Sequence, residues 1–134
     1  MNNLRQQLID IALRWQKKYG VCPSITSSIS EFDAASMIGM PLREYSEYMQ
    51  DKTAVSKYKD FEYNGLKFQI KANRPSGKRG SKVTKVGHAS KKSLEDNVWD
   101  ILIWILYNEE FEIKETWVWN FSDYKKNFYH EINK

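Results

Sequence analysis

Apolar residues recur at three- and four-residue steps near the start of the chain, where Leu4, Leu8, Ile11 and Trp15 form a stripe widened by Ile9, Ala12 and Leu13. That spacing predicts a helix over about 3–19, with Gly20 placed to stop it. The segment 21–27, with Pro23, reads as a linker. Ser28-Ile29-Ser30-Glu31 has the capping-box pattern, with Ser28 as N-cap and Glu31 three residues on. It predicts a second helix to about Ile38, ended by Gly39. Pro41 then opens a third helix, with Leu42, Tyr45 and Met49 on one face, ending near Asp51. A polar loop follows to Lys59. From Asp60 the period changes to two. Asn64-Gly65 suits a type I′ hairpin turn, which needs φ > 0 at both central residues. A two-residue turn sets Tyr63 opposite Leu66, Glu62 opposite Lys67, Phe61 opposite Phe68 and Asp60 opposite Gln69. The run from Val98 to Tyr107 suits a strand buried on both faces. Residues 111–119 alternate as its partner, and Ser122 reads as the cap of a last helix to about Ile132. This order predicts one α/β domain over 1–134, a mixed central sheet flanked by helices.

Length and composition agree with one domain. A chain of 134 residues buries roughly two-thirds of its unfolded surface. The net charge is +4, but unevenly spread: residues 63–94 hold nine bases and no acid, leaving twelve bases against seventeen acids elsewhere. Such asymmetry points to a polyanionic partner such as DNA, although a solvated basic loop has the same composition. Cys22 is the only cysteine, so an intrachain disulfide is excluded and a reducing compartment fits. One Cys with His88 and His130 is too few for a structural zinc. No leader of basic then apolar residues is read, and Ile101–Tyr107 is too short to span a bilayer. The expectation is a cytoplasmic protein with no membrane contact.

Candidate chemistry gathers on the hairpin. The strand period puts Asp60, Gln69 and Lys71 on its polar face and the aromatic residues toward the core. A carboxylate and an amide oxygen beside an ammonium suit a hard divalent cation and a phosphodiester. The same residues also describe the wet face of an amphipathic hairpin, with a Glu62–Lys67 cross-strand pair. Glu31 likewise has two readings, a helix cap or a further metal-site carboxylate. Residues 73–87 form a basic loop leaving Lys71 directly. There Arg74, Lys78, Arg79, Ser81, Lys82 and Lys85 are candidate DNA contacts, with Ser76 and Thr84 as further donors to phosphate. His88 reads as an incidental loop histidine, with a general base as the alternative.

Asp60, nine positions before Gln69 of Gln69-Ile70-Lys71, resembles the PD-(D/E)XK nuclease superfamily in the variant where Gln replaces the first acid. The segment Glu31-Phe32-Asp33-Ala34-Ala35-Ser36-Met37-Ile38-Gly39-Met40 is similar to the E-x-x-A-A-x-x-L-G helix of small bacterial members. The resemblance covers roughly Ser28 to Trp119, with Lys59 where the pattern has proline. It implies a restriction-endonuclease-like fold and a Mg²⁺-dependent (or Mn²⁺-dependent) DNA endonuclease. In that reading Asp60, Gln69, the Ile70 carbonyl and Glu31 hold the metal, and Lys71 is the catalytic lysine. A homodimer would suit cutting of both strands. Two alternatives stand beside it. One is a DNA-binding module of this fold without turnover, which the neutral Gln69 favours. The other is a toxin–antitoxin or other interaction domain built on the tryptophan-rich strands.

Overall fold

The computed structural model describes residues 3–20, 22–51, 59–75 and 99–132, with side chains as far as Asn127. Three helices come first: α1 (Asn3–Tyr19), α2 (Thr26–Met37) and α3 (Leu42–Asp51). Strands β1 (Phe61–Tyr63) and β2 (Leu66–Asn73) follow, then β3 (Ile101–Tyr107), β4 (Ile113–Asn120) and α4 (Phe121–Ile132). The sheet order is β1-β2-β3-β4, with β2 and β3 parallel and both outer pairs antiparallel. This is the mixed sheet that the sequence predicts. Among the described residues, no helix is long and apolar enough to cross a membrane.

The hairpin forms in the expected register, Tyr63 with Leu66, Glu62 with Lys67 and Phe61 with Phe68. Asn64 and Gly65 take φ of 51° and 77°, as the type I′ turn requires. At the end of α2, the Gly39 amide bonds to Ser36 O and the Met40 amide to Ala35 O, the Schellman pattern, with Gly39 at φ 80° and Met40 buried.

Alternation sorts β2 and β3 into two layers. Phe61, Phe68, Ile70, Ile103, Ile105 and Tyr107 face α1–α3 and pack with Ile9, Ile29, Ala34, Ala35 and Met40. Phe61 and Phe68 stack with centroids 5.2 Å apart. The opposite face holds Leu102, Trp104 and Trp119 under α4, whose Tyr124 ring lies 6.2 Å from both tryptophans and 5.6 Å from Trp99. β3 is therefore buried on both faces, as its sequence predicts.

Five local expectations change. The Ser28 capping box does not form: the N-cap of α2 is Ile25, three residues earlier, and it supplies no side-chain bond. Glu31 is thereby one turn into the helix rather than reaching back to its start. The final helix is capped not by Ser122 but by Asn120, whose Oδ1 accepts from the Asp123 amide at 2.8 Å. Phe111 belongs to the turn before β4, buried at φ 62°. Glu62 pairs with Lys59 at 2.7 Å, not with Lys67 across the strand. The polar hairpin face is not wet at Gln69, which is only 8% exposed. Residues 52–58 and the basic segment 76–98, with Lys78, Arg79, Ser81, Lys82, Lys85 and His88, lie outside the described residues.

One buried polar group ties the layers together. Asp33 in α2 receives both Arg5 Nε (2.8 Å) and Arg5 Nη2 (2.9 Å) from α1, and the Tyr107 hydroxyl (2.7 Å) from β3. The bidentate bond holds the Arg5 guanidinium further toward its charged form, against burial. Burial first, then the bond to Asp33, pushes the Tyr107 phenol well above its ordinary range. Truncating Asp33 strands a cation and a hydroxyl. Asp33→Ala should cost about 3 kcal/mol and Tyr107→Phe about 1.5 kcal/mol, read as falls in the urea midpoint at unchanged slope. Equal midpoints for wild type and Asp33→Ala would contradict this.

Candidate functional site

β1 is three residues long and β2 is eight, so among the described residues the β1-side edge of β2 has no strand partner beyond Phe68. Asp60 takes that place with its side chain. Its own amide bonds to Phe68 O at 2.7 Å, so the chain leaves the ladder instead of setting Asp60 opposite Gln69. Its Oδ2 accepts the Ile70 amide at 2.6 Å. In a strand, one residue's N–H and C=O point to the same side. The Ile70 carbonyl thus faces the same open edge as the Asp60 carboxylate.

The first turns of α2 close over this edge. A polar cleft of about 210 Å³ is lined by Thr26, Ser27, Ser30 and Glu31 of α2, by Asp60, and by Ile70, Lys71 and Ala72 of β2. Ser30 Oγ donates back to Ser27 O, whereas no side chain caps the helix start. Tyr45 of α3 reports the charge here. Its ring meets Phe61 and Phe32 edge-on, 6.0 and 6.2 Å between centroids. Burial, and after it the negative charges of Glu31 and Asp60, push its phenol up to about 12. The two carboxylates therefore act on one place although 29 positions separate them in sequence.

Of the sequence candidates, Glu31, Asp60, Lys71 and the Ile70 backbone come together. Gln69 does not. It is buried beside Leu102 of β3 and does not line the cleft, whereas Lys71, which shares its sheet face, does. Among the described residues nothing donates a hydrogen bond to its buried Oε1. Arg74 is not a surface cation either. It is 7% exposed, with Nε on Glu109 O (3.0 Å), Nη1 on Pro75 O (2.7 Å), Nη2 on Gln16 Oε1 (2.8 Å) and on Glu109 O, and its guanidinium 4.4 Å from the Phe111 centroid. It pins the end of β2 to α1 and to the β3–β4 turn. Sequence reading missed Asp33 and the Thr26–Ser27 wall. The four-residue step from buried Ile29 to Asp33 was the available signal for the first.

The donors suit a hard cation. Two carboxylates and a carbonyl are all oxygen, and Mg²⁺ commonly takes one or two carboxylates with water and phosphate completing its shell. Among the described residues no group of three or more His, Cys, Asp and Glu that could hold a metal ion is found. No family model, curated protein or solved structure matches the chain, so the chemistry rests on the cleft itself.

Two outcomes follow. Folding favours the protonated Tyr45 phenol, so its contribution to stability is complete below pH 10 and is lost as pH rises toward 12. In ¹³C-tyrosine NMR, Glu31→Gln with Asp60→Asn should bring the Tyr45 midpoint down toward 10 while burial keeps it above. An unmoved midpoint would separate the carboxylates from Tyr45. Arg74→Ala should destabilise the fold by about 3 kcal/mol with no rescue by Arg74→Lys, which cannot reproduce the fork. An unchanged melting curve would return Arg74 to the surface contacts.

Proposed function

We propose that the chain is a metal-dependent phosphodiesterase acting on DNA, of restriction-endonuclease-like type. The observation that carries this reading is the meeting of Glu31, Asp60, the Ile70 backbone and Lys71 in one polar cleft. Glu31, Asp60 and the Ile70 carbonyl would hold a Mg²⁺ or Mn²⁺ ion. When bound, such an ion lowers the pKa of coordinated water and offsets negative charge on phosphate. The bond from the Ile70 amide orients the Asp60 carboxylate toward this role. Lys71, at the strand edge, would orient the attacking water and balance charge building on the phosphoryl oxygens. The opposite wall favours an anion: the amides in the first turn of α2 have no side-chain cap, and Thr26 and Ser27 carry hydroxyls. Gln69 has no part in this version of the site.

A second reading, a DNA-binding module without turnover, is favoured by one observation. With Gln69 outside the cleft, the site brings two carboxylates to a cation rather than a fuller set of side-chain ligands.

Plasmid nicking with Mg²⁺, Mn²⁺ and EDTA separates the two. Wild type should nick with either cation and stop in EDTA. Lys71→Ala should lose about 10²-fold in rate with DNA affinity and melting temperature nearly unchanged, and Asp60→Asn should be inactive. Gln69→Glu should lower stability, by burying a charge, without raising the rate. Cleavage that survives Lys71→Ala undiminished would mark a contaminating nuclease. DNA binding with no nicking by wild type would select the second reading.

A further inference from the structure

Helix α1 carries more apolar surface than the fold covers. At about 100° per residue, Arg5, Ile9, Ala12, Leu13 and Gln16 fall on one arc. There α1 joins the domain: Ile9 and Ala12 are buried, Arg5 holds Asp33, and Gln16 accepts from Arg74. Immediately beside it, within an arc of about 80°, stand Leu4, Leu8, Ile11, Trp15 and Tyr19. These are 75, 38, 53, 52 and 60% exposed. Trp15 and Tyr19 already pack on each other, with centroids 4.8 Å apart. The stripe continues into an apolar groove of about 320 Å³, where Leu4 and Leu8 meet Phe32, Tyr45 and Met49.

We propose that this stripe is the seam of a homodimer, with α1 packed antiparallel on α1 of a second copy about a two-fold axis near Ile11. The steps from Leu4 to Leu8, Ile11 and Trp15 are four, three and four residues, the alternation of a two-helix seam. Five half-exposed side chains of this size offer on the order of 500 Å² per copy. The groove beside them extends the patch toward the roughly 800 Å² per partner of a specific interface.

Shape and charge choose the second copy and its direction. A two-fold axis at Ile11 sets Leu8 against Trp15 of the partner subunit and Leu4 against the partner's Tyr19, small against large. A parallel pair would instead stack Trp15 on its own copy. The polar flank is also graded along the helix. Arg14, Lys17 and Lys18 lie in its second half, while Asn3, Gln6, Gln7 and Asp10 lie in its first. Antiparallel packing sets the basic half against the half that holds Asp10, and it opposes the two helix dipoles favourably. A parallel pair would align like charges.

The test is oligomeric state, measured on the full chain. Sedimentation equilibrium at micromolar concentration should give twice the 15.9 kDa chain mass. Leu8→Glu and Trp15→Glu, both at exposed positions, should each raise the dimer dissociation constant at least about 30-fold while leaving the far-UV circular dichroism intact. In a Cys22→Ser background, Ile11→Cys should cross-link to itself on oxidation. Leu4→Cys alone should not, but a mixture of Leu4→Cys and Tyr19→Cys chains should. A monomeric wild type, whether the stripe binds another protein or nothing, overturns the proposal. So does a dimer indifferent to both glutamates, which would place the contact elsewhere, such as the β4 edge. Self-linking of Leu4→Cys as efficient as that of Ile11→Cys overturns the antiparallel arrangement.

Discussion

The buried carboxylate of Asp33 is the constraint on which the arrangement of the helices depends. A charge that is 8% exposed is tolerated only if fully paired. Its partners come from both sides: the Arg5 fork from α1 and the Tyr107 hydroxyl from the end of β3. Three elements that share little else are fixed in one geometry. α1 buries only Ile9 and Ala12, so its position owes much to Arg5 and to the Gln16–Arg74 bond. Arg5 and Arg74 also bond carbonyls of the turn before β4, at Phe111 and Glu109. That turn holds Phe111 in a left-handed backbone, which costs on the order of 1–2 kcal/mol for a residue with a side chain. The burial of its ring against the Arg74 guanidinium offsets that cost.

With α2 fixed in this way, the cleft follows from a difference in strand length. β1 stops at Phe61, and among the described residues β2 runs on for several more with an open edge. An open edge presents unpaired backbone groups. Here one of them, the Ile70 amide, is taken by Asp60, and Ile70 lines the cleft. The uncapped start of α2 lies across from this edge. In the proposed reading, the same two features would place a cation and an anion side by side. Tyr45 lines the neighbouring groove that Glu31 also borders, and burial first, then the charges of Glu31 and Asp60, raise its phenol.

Period and turn chemistry were legible in the sequence, and they are local. The Asn64-Gly65 hairpin, the Gly20 and Gly39 stops and the third helix after Pro41 all rest on interactions within a few residues. The burial of Gln69 was not legible, because whether a strand face is covered is decided by segments distant in sequence. The expected joint site of Asp60, Gln69 and Lys71 split for that reason, together with the departure of Asp60 from the ladder. Ser28 is not the cap because the helix starts at Thr26, with its N-cap three residues before Ser28, and Thr26 and Ser27 line the cleft instead. Arg74 looked like the first cation of a basic loop. Its burial depends on Gln16 and Glu109, partners that no spacing rule connects to it.

The central claim is that Glu31, Asp60 and the Ile70 carbonyl form one cation site at the open edge of β2. Paramagnetic broadening by Mn²⁺ in amide-resolved NMR tests it without reference to turnover. Substoichiometric Mn²⁺ should broaden the Asp60, Ile70, Lys71 and Glu31 amides first, and Asp60→Asn should abolish that pattern while the rest of the spectrum is retained. Broadening centred instead on Asp100 and Asp123, at the start of α4, or spread evenly over exposed carboxylates, would contradict the account.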